Sequence, residues 1–279
     1  MTTALARFSF CLGLLGAACD GKLAHRQEGA VAVSLPIASE TRRLAVEVDF
    51  GSITVLAAED GKDELSFEGD CLRAADDAAT LQVLAGVDLT LLPSQEGDLL
   101  RLRSPSLPPG VDADHARMVV RGVLRCPPRL QVVVRTGRGS LKGAGLGAGV
   151  DLATGVGDVA VSGCRGAVEV RTDQGDIMVD GLRGSLEMQA KAGSARAHVA
   201  ELGDAGIRAH ARDTLEVRLP RQAGFVLNAR AEHGRCHNSF GLTITMDGAR
   251  SSMSGDANGG GAKVDLTSAE GTVTVGVTD

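Results

Sequence analysis

Asp158 and Asp176 lie 18 residues apart, each directly after a glycine, with Asp173 and Asp180 close by. Carboxylates stacked in this way would offer the several oxygen ligands that Ca²⁺ takes. The competing role is structural, because an Asp beside a turn glycine accepts hydrogen bonds from nearby backbone N–H groups. The set is two carboxylates deep and flanked by Ser140 and Ser194 at the same step, so capping is the expected role. Arg165 and Arg183 repeat the step and would form a basic edge for anionic glycans or lipid headgroups. Together with Asp158 and Asp176 they make up the candidate ligand surface. His233, Cys236 and His237 have side chains that bind Zn²⁺. Cys236 falls in an inward slot of the repeat and His237 in an outward one, so no metal site is expected. No Ser sits in a nucleophile elbow with a His placed to serve it, and no catalytic residue or cofactor is assigned. Gly143, Gly145 and Gly147 mimic a dinucleotide fingerprint, but no helix follows and the repeat accounts for them.

What positions these residues is a repeat with a fixed step. Val150–Val159, Val168–Ile177 and Leu186–Ala195 align residue by residue, and so does Val132–Leu141. Gly139, Gly157, Gly175 and Gly193 follow one another at 18-residue intervals. A constant period of this size means stacked units, here called rungs, each burying its apolar side against its neighbours. Side chains alternate along a strand, so Val150, Leu152, Val159 and Val161 point inward, with Cys164 at the second corner. The next rung fills those slots with Val168, Val170, Ile177, Val179 and Leu182, and the third with Leu186, Met188, Ala195, Ala197 and Ala200. Asp151, Glu169 and Glu187 form an outward acidic row beside Arg135, Arg171 and Gln189, which reads as a solvated face.

Composition narrows the function. The 279 residues include no Trp, no Tyr and six Phe, so the core is aliphatic and no stacked-ring sugar or base platform is available. A net charge of -6 argues against nucleic acid as a partner. Residues 1–18 read as an export signal: Arg7, the apolar run Phe8–Leu15, then Gly16, Ala17 and Ala18 before Cys19. Leu15-Gly-Ala-Ala-Cys19 resembles a lipobox, although the residue three before the Cys is Gly16 rather than Leu. Cys19 is therefore the expected lipidation site, which makes the membrane a partner through an N-terminal anchor. Simple cleavage near Ala18 would instead release a periplasmic or secreted chain. In that oxidising setting Cys71, Cys126, Cys164 and Cys236 suit disulfides, preferably Cys71–Cys126, with Cys164–Cys236 or four free thiols as the other readings.

Along the chain, 19–40 reads as a tether, 41–129 as a smaller mostly-β N-terminal region or cap, and 130–279 as the repeat domain. Leu44–Val55 repeats the rung pattern in short form, with its corner at Gly51. Ala74–Leu84 is the helix candidate, Val87–Leu91 and Leu99–Leu102 suggest a hairpin, and Met118–Leu124 a strand. Residues 247–261, rich in Gly, Ser and Asp, read as a mobile loop, and Val264–Val275 closes the chain as a further rung matching Val150–Val161.

The units V-x-[VL]-x-T-x-x-G-D-[VI]-x-V-x-G, the Pro-Pro-x-Leu lead-in at 127–130 and the closing Leu-Thr-Ser-x-x-Gly-x-Val segment resemble the DUF4097 group of bacterial β-strand-repeat proteins, often labelled adhesins. The resemblance covers roughly 41–279, with Ala190 and Ser194 departing from its Thr and Asp. It implies an all-β fold, a β-solenoid of parallel β-helix type with 18-residue rungs, in the cell envelope. It carries no catalytic signature. The expected function is a non-catalytic binding or adhesion-like scaffold for an envelope or surface ligand. A polysaccharide-active enzyme on a β-helix, or a passive structural lipoprotein, is the alternative.

Overall fold

The computed structural model describes residues 23–58 and 63–278, and these are nearly all β, with one helix among them, Ala78–Ala85. The expected signal, 1–18, and Cys19 lie outside the described residues. Successive rungs pair in parallel on two faces. On the first face Val150 lies opposite Val132 and Val168, and Val168 opposite Leu186. On the second, Val159 lies between Leu141 and Ile177, and Ile177 lies opposite Ala195. The 18-residue step of the sequence is thus the register of the sheet. The inward positions are buried throughout, from Val132 and Val134 to Leu186 and Met188. Each such aliphatic side chain contributes about 1.5–3 kcal/mol when fully buried. One inward assignment fails: Ala200 is exposed, and Val199 takes the slot opposite Leu182 after a shift in register.

Past Ala190 the step widens and the order of rungs departs from the order of the chain. Leu186 pairs with Ile207 and Ala195 with Leu215, so extra residues bulge at the corners. Ile207 then pairs with Val264, and Val264 with Leu227. On the second face Leu215 pairs with Val273, and Val273 with Cys236. The segment 262–278 is therefore inserted between 207–220 and 225–238. The expected mobile loop at 247–261 contains a strand instead, Arg250–Ala257, antiparallel to both Phe225–Ala231 and Thr243–Asp247. Its buried slots are held by Ser251, Met253 and Ala257, so its apolar signal is weak.

At the opposite end, Arg43–Phe50 lies between Gln131–Arg138 and Leu99–Arg103, and Ile53–Ala57 between Leu141–Ala144 and Ala116–Cys126. The short rung at 43–57 therefore stacks directly on the repeat, and one core runs through both regions. Antiparallel strands complete this end: Glu64–Ala75 on Ala116–Cys126, and Leu92–Glu96 on Leu99–Arg103. The expected strand at 87–91 is absent, and Leu92–Glu96 takes the place in the hairpin. The tether reading of 19–40 is corrected, because His25–Pro36 is a twelve-residue strand antiparallel to Glu64–Ala75. Only Val31 of that strand is buried, which is why the segment looks solvated in sequence.

The helix starts later than its composition suggests, since Ala74 and Ala75 finish a strand. Asp77 caps it, accepting the Thr80 N–H at 2.8 Å. At its far end the Arg73 guanidinium donates to the carbonyls of Leu84 (2.9 Å) and Val87 (2.6 Å). Beside the cap, His115 Nδ1 lies 2.7 Å from Asp76 Oδ2. Hydrogen bonding to Asp76, and then its charge, raise the imidazole pKa above its ordinary value. The stabilisation from this pair is therefore full below the ordinary imidazole pKa and lost as pH rises through the elevated folded value. Asp76→Asn is expected to bring the His115 titration followed by NMR back down; an unchanged midpoint would remove Asp76 as the cause.

Candidate functional site

The glycine corner brings Asp158 and Asp176 together and shows what they do. Asp158 Oδ1 accepts the Asp176 N–H at 2.9 Å, and Asp176 Oδ1 accepts the Ser194 N–H at 2.8 Å. Ser52 Oγ accepts the Ser140 N–H in the same way at 3.2 Å. Each side chain satisfies the backbone of the following rung, so the ladder ties rungs together. Asp173 is paired with Lys191 at 2.7 Å, and Asp180 lies 3.3 Å from His198.

A second ladder lies beneath the first and was not singled out from the sequence. Thr154 and Thr172, both buried, donate through Oγ1 to the carbonyls of Gly139 and Gly157 at 2.9 Å. Thr136 reaches the Gly51 carbonyl at 3.3 Å. The recurrence of Thr three residues before Gly139, Gly157 and Gly175 is the signal for it. Thr172→Val keeps the shape but leaves a carbonyl short of a donor. It is expected to cost about 1 kcal/mol in urea unfolding, and no measurable loss would show the bond to be energetically idle.

The outward charged rows neutralise one another. Arg135 grips the Asp151 carboxylate, with Nη1 2.6 Å from Oδ1. Arg171 pairs with Glu169 and lies 3.6 Å from Glu187. Glu47 takes Arg103 at 2.7 Å. Such solvent-accessible, half-buried surface pairs add little stability, but they leave no free run of one sign along this face. Two shallow clefts lie on it. One of about 230 Å³ is bordered by Arg135, Arg171 and Lys191, all of them already paired. The other, about 340 Å³, opens where the step widens and mixes Glu169, Glu187 and Asp265 with Arg208 and Lys263.

Arg165 and Arg183 differ. They are direct partners on neighbouring strands, both exposed, with Glu201 the next residue in their row. Among the described residues no ion pair joins either guanidinium to a carboxylate. They border a cleft of about 220 Å³ with Gly184, Glu201, Leu202 and Gly203. Two adjacent forked donors of this kind suit a phosphate, sulfate or carboxylate oxygen pair.

The cysteines do not form the expected bridges: Cys71, Cys126, Cys164 and Cys236 are all free and buried. Cys71 lies opposite Val120, six residues along the strand from Cys126 and so about 20 Å away. Cys236 does fall in the row of Val159, as its slot implies, but through Val273, Leu215, Ala195 and Ile177. Those five steps put it about 24 Å along the stack from the Cys164 rung. A disulfide needs Cα atoms within about 7 Å. Burial pushes the Cys126 thiol up to about 12 and raises that of Cys164, which keeps both protonated. Cys236 points its Sγ at the Ser251 carbonyl, 3.3 Å away, whereas His237 is exposed. No group of three or more His, Cys, Asp or Glu that would hold a metal occurs among the described residues. No helix among them is long and apolar enough to cross a membrane.

No protein-family model matches the chain, and no curated protein does. Among solved structures it is similar to a "putative cell adhesion protein" from Clostridium sporogenes, at 10% identity and a TM-score of 0.35, covering 91% of this chain and 100% of that one. It is also similar to a "putative adhesin" from Bacteroides fragilis, at 15% identity and a TM-score of 0.35, covering 90% and 97%. A third, a "putative adhesin" from Parabacteroides distasonis, has 11% identity and a TM-score of 0.30, covering 90% and 97%.

Proposed function

We propose that this chain is an exported β-solenoid of the DUF4097 kind, anchored by a lipid on Cys19, that binds an anionic envelope or surface ligand without chemistry on it. The observation that carries the reading is the Arg165–Arg183 pair, two neighbouring guanidiniums that form no ion pair with a described carboxylate, beside a cleft they share with Glu201, while the neighbouring charged rows are paired. Parallel rungs with an 18-residue register support the solenoid, since they repeat the same side-chain positions along a flat face. A lipid on Cys19 would leave five residues before the strand beginning at His25, a reach of about 17 Å. The stack would then lie close to the bilayer.

The shared ligand chemistry is a phosphate, sulfate or carboxylate, whether on a lipid headgroup or on a glycan. The test is sedimentation with phosphatidylglycerol vesicles beside binding to a sulfated or uronic-acid polysaccharide, wild type against Arg165→Ala/Arg183→Ala. Salt-sensitive binding to either, reduced about tenfold or more in the double variant, is the expected result. Absence of binding to both, or binding that the double variant keeps, would overturn the assignment. Intact mass of membrane fractions, with Cys19→Ala as control, tests the anchor separately.

A further inference from the structure

The two extremities of the stack are finished differently. On the first face, the outermost strand at the end nearest 43–57 is Leu92–Glu96, which carries Pro93. A proline removes a donor from an open edge and guards it against another chain. The outermost strand at the other end is Thr243–Asp247, which among the described residues pairs with Arg250–Ala257 alone and contains no proline and no lysine. All five of its residues are exposed. Its register nevertheless continues the core. Ile244 lies opposite Met253 and Met246 opposite Ser251, and those two residues are buried opposite Ala229 and Ala231. Ile244 and Met246 thus occupy the next places in the inward-facing rows, yet they are 42% and 54% exposed. The core rows run one strand past their cover.

The geometry points to a second copy of this chain as that cover, with Thr243–Asp247 pairing antiparallel to its counterpart about a twofold axis at Thr245. In this register Ile244 of one copy meets Met246 of the other, apolar against apolar, on the core side. Asp247 meets Thr243, so the one charged residue of the strand never faces its own image. A twofold contact of this type is self-complementary and closes at two copies. On this face the guarded edge with Pro93 stays at the far end of each copy.

Sedimentation equilibrium of the full chain tests this, with Cys19→Ala to keep lipid from setting the mass. The expected mass is twice that of the monomer. Ile244→Lys/Met246→Lys places charges on the covered side of the pairing edge and is expected to weaken dimerisation about a hundredfold or more. Its melting temperature as a monomer should stay unchanged, because both side chains are exposed there. Thr245→Cys is expected to form an intermolecular disulfide on oxidation, while Ser252→Cys, one strand further in, does not. A wild-type chain that stays monomeric up to its solubility limit would overturn the proposal. So would a dimer that survives the double lysine variant, or one in which Thr245→Cys fails to cross-link.

Discussion

Replacing Gly175 with valine is expected to destabilise the stack by about 4 kcal/mol or more. The residue has φ +144°, where a side chain is strained from the outset. A Cβ there would lie 2.2 Å from the Gly157 carbonyl oxygen. That oxygen cannot yield, because it belongs to the neighbouring rung and accepts the buried Thr172 hydroxyl. Gly163 is the control. It also has positive φ, at +58°, but a Cβ there meets nothing within 4 Å. Gly163→Ala should therefore cost only the backbone strain, about 1 kcal/mol. Urea unfolding followed by circular dichroism separates the two, and equal losses would show that the close approach of rungs is not what demands glycine at 175.

Leu266→Asp is the second large effect, about 5 kcal/mol, from an uncompensated charge in the core. Leu266 is 1% exposed and lies between Ala209 and Ala229 in the inserted rung. A terminal rung would fray and tolerate the change, whereas an internal one has packed neighbours on both sides. Hydrogen exchange gives an independent reading. The amides of 264–266 should exchange as slowly as those of 168–170 in the middle of the repeat. Fast exchange there, together with a mild Leu266→Asp, would mean that 262–278 is not held between two rungs.

The repeat was legible because the same residue types recur at each step: the corner glycines at 139, 157, 175 and 193, and the paired valines, leucines and isoleucines between them. Periodicity reports a step and a face, and both hold from 132 to 197; the slot it gives to Ala200 belongs to Val199. It does not report which rung sits beside which. From Ile207 the pattern at Leu227 and the pattern at Val264 fit the next place equally well, and only the fold chooses Val264. Strands with few buried apolar residues were missed for a related reason. His25–Pro36 buries Val31 alone, and Arg250–Ala257 fills a core slot with Ser251, whose hydroxyl accepts the Cys236 N–H at 3.1 Å. Of the candidate site, the adjacency of Arg165 and Arg183 and of Asp158 and Asp176 followed from the step. Which arginines are already neutralised did not, because ion pairing depends on rotamers rather than on register.

The inserted rung also sets an order of events. Rungs between 131 and 199 find their partners 18 residues away, a short loop to close, and can zip in either direction from wherever they start. Neither extremity shares that freedom. Leu44 must find Val132 across 88 residues, and Leu227 stays without its parallel neighbour until Val264 arrives. Folding should therefore be biphasic, with a fast phase in the middle and a slower one as the two ends lock. In stopped-flow refolding, a mutation at Val170 would alter the first phase and one at Val264 the second.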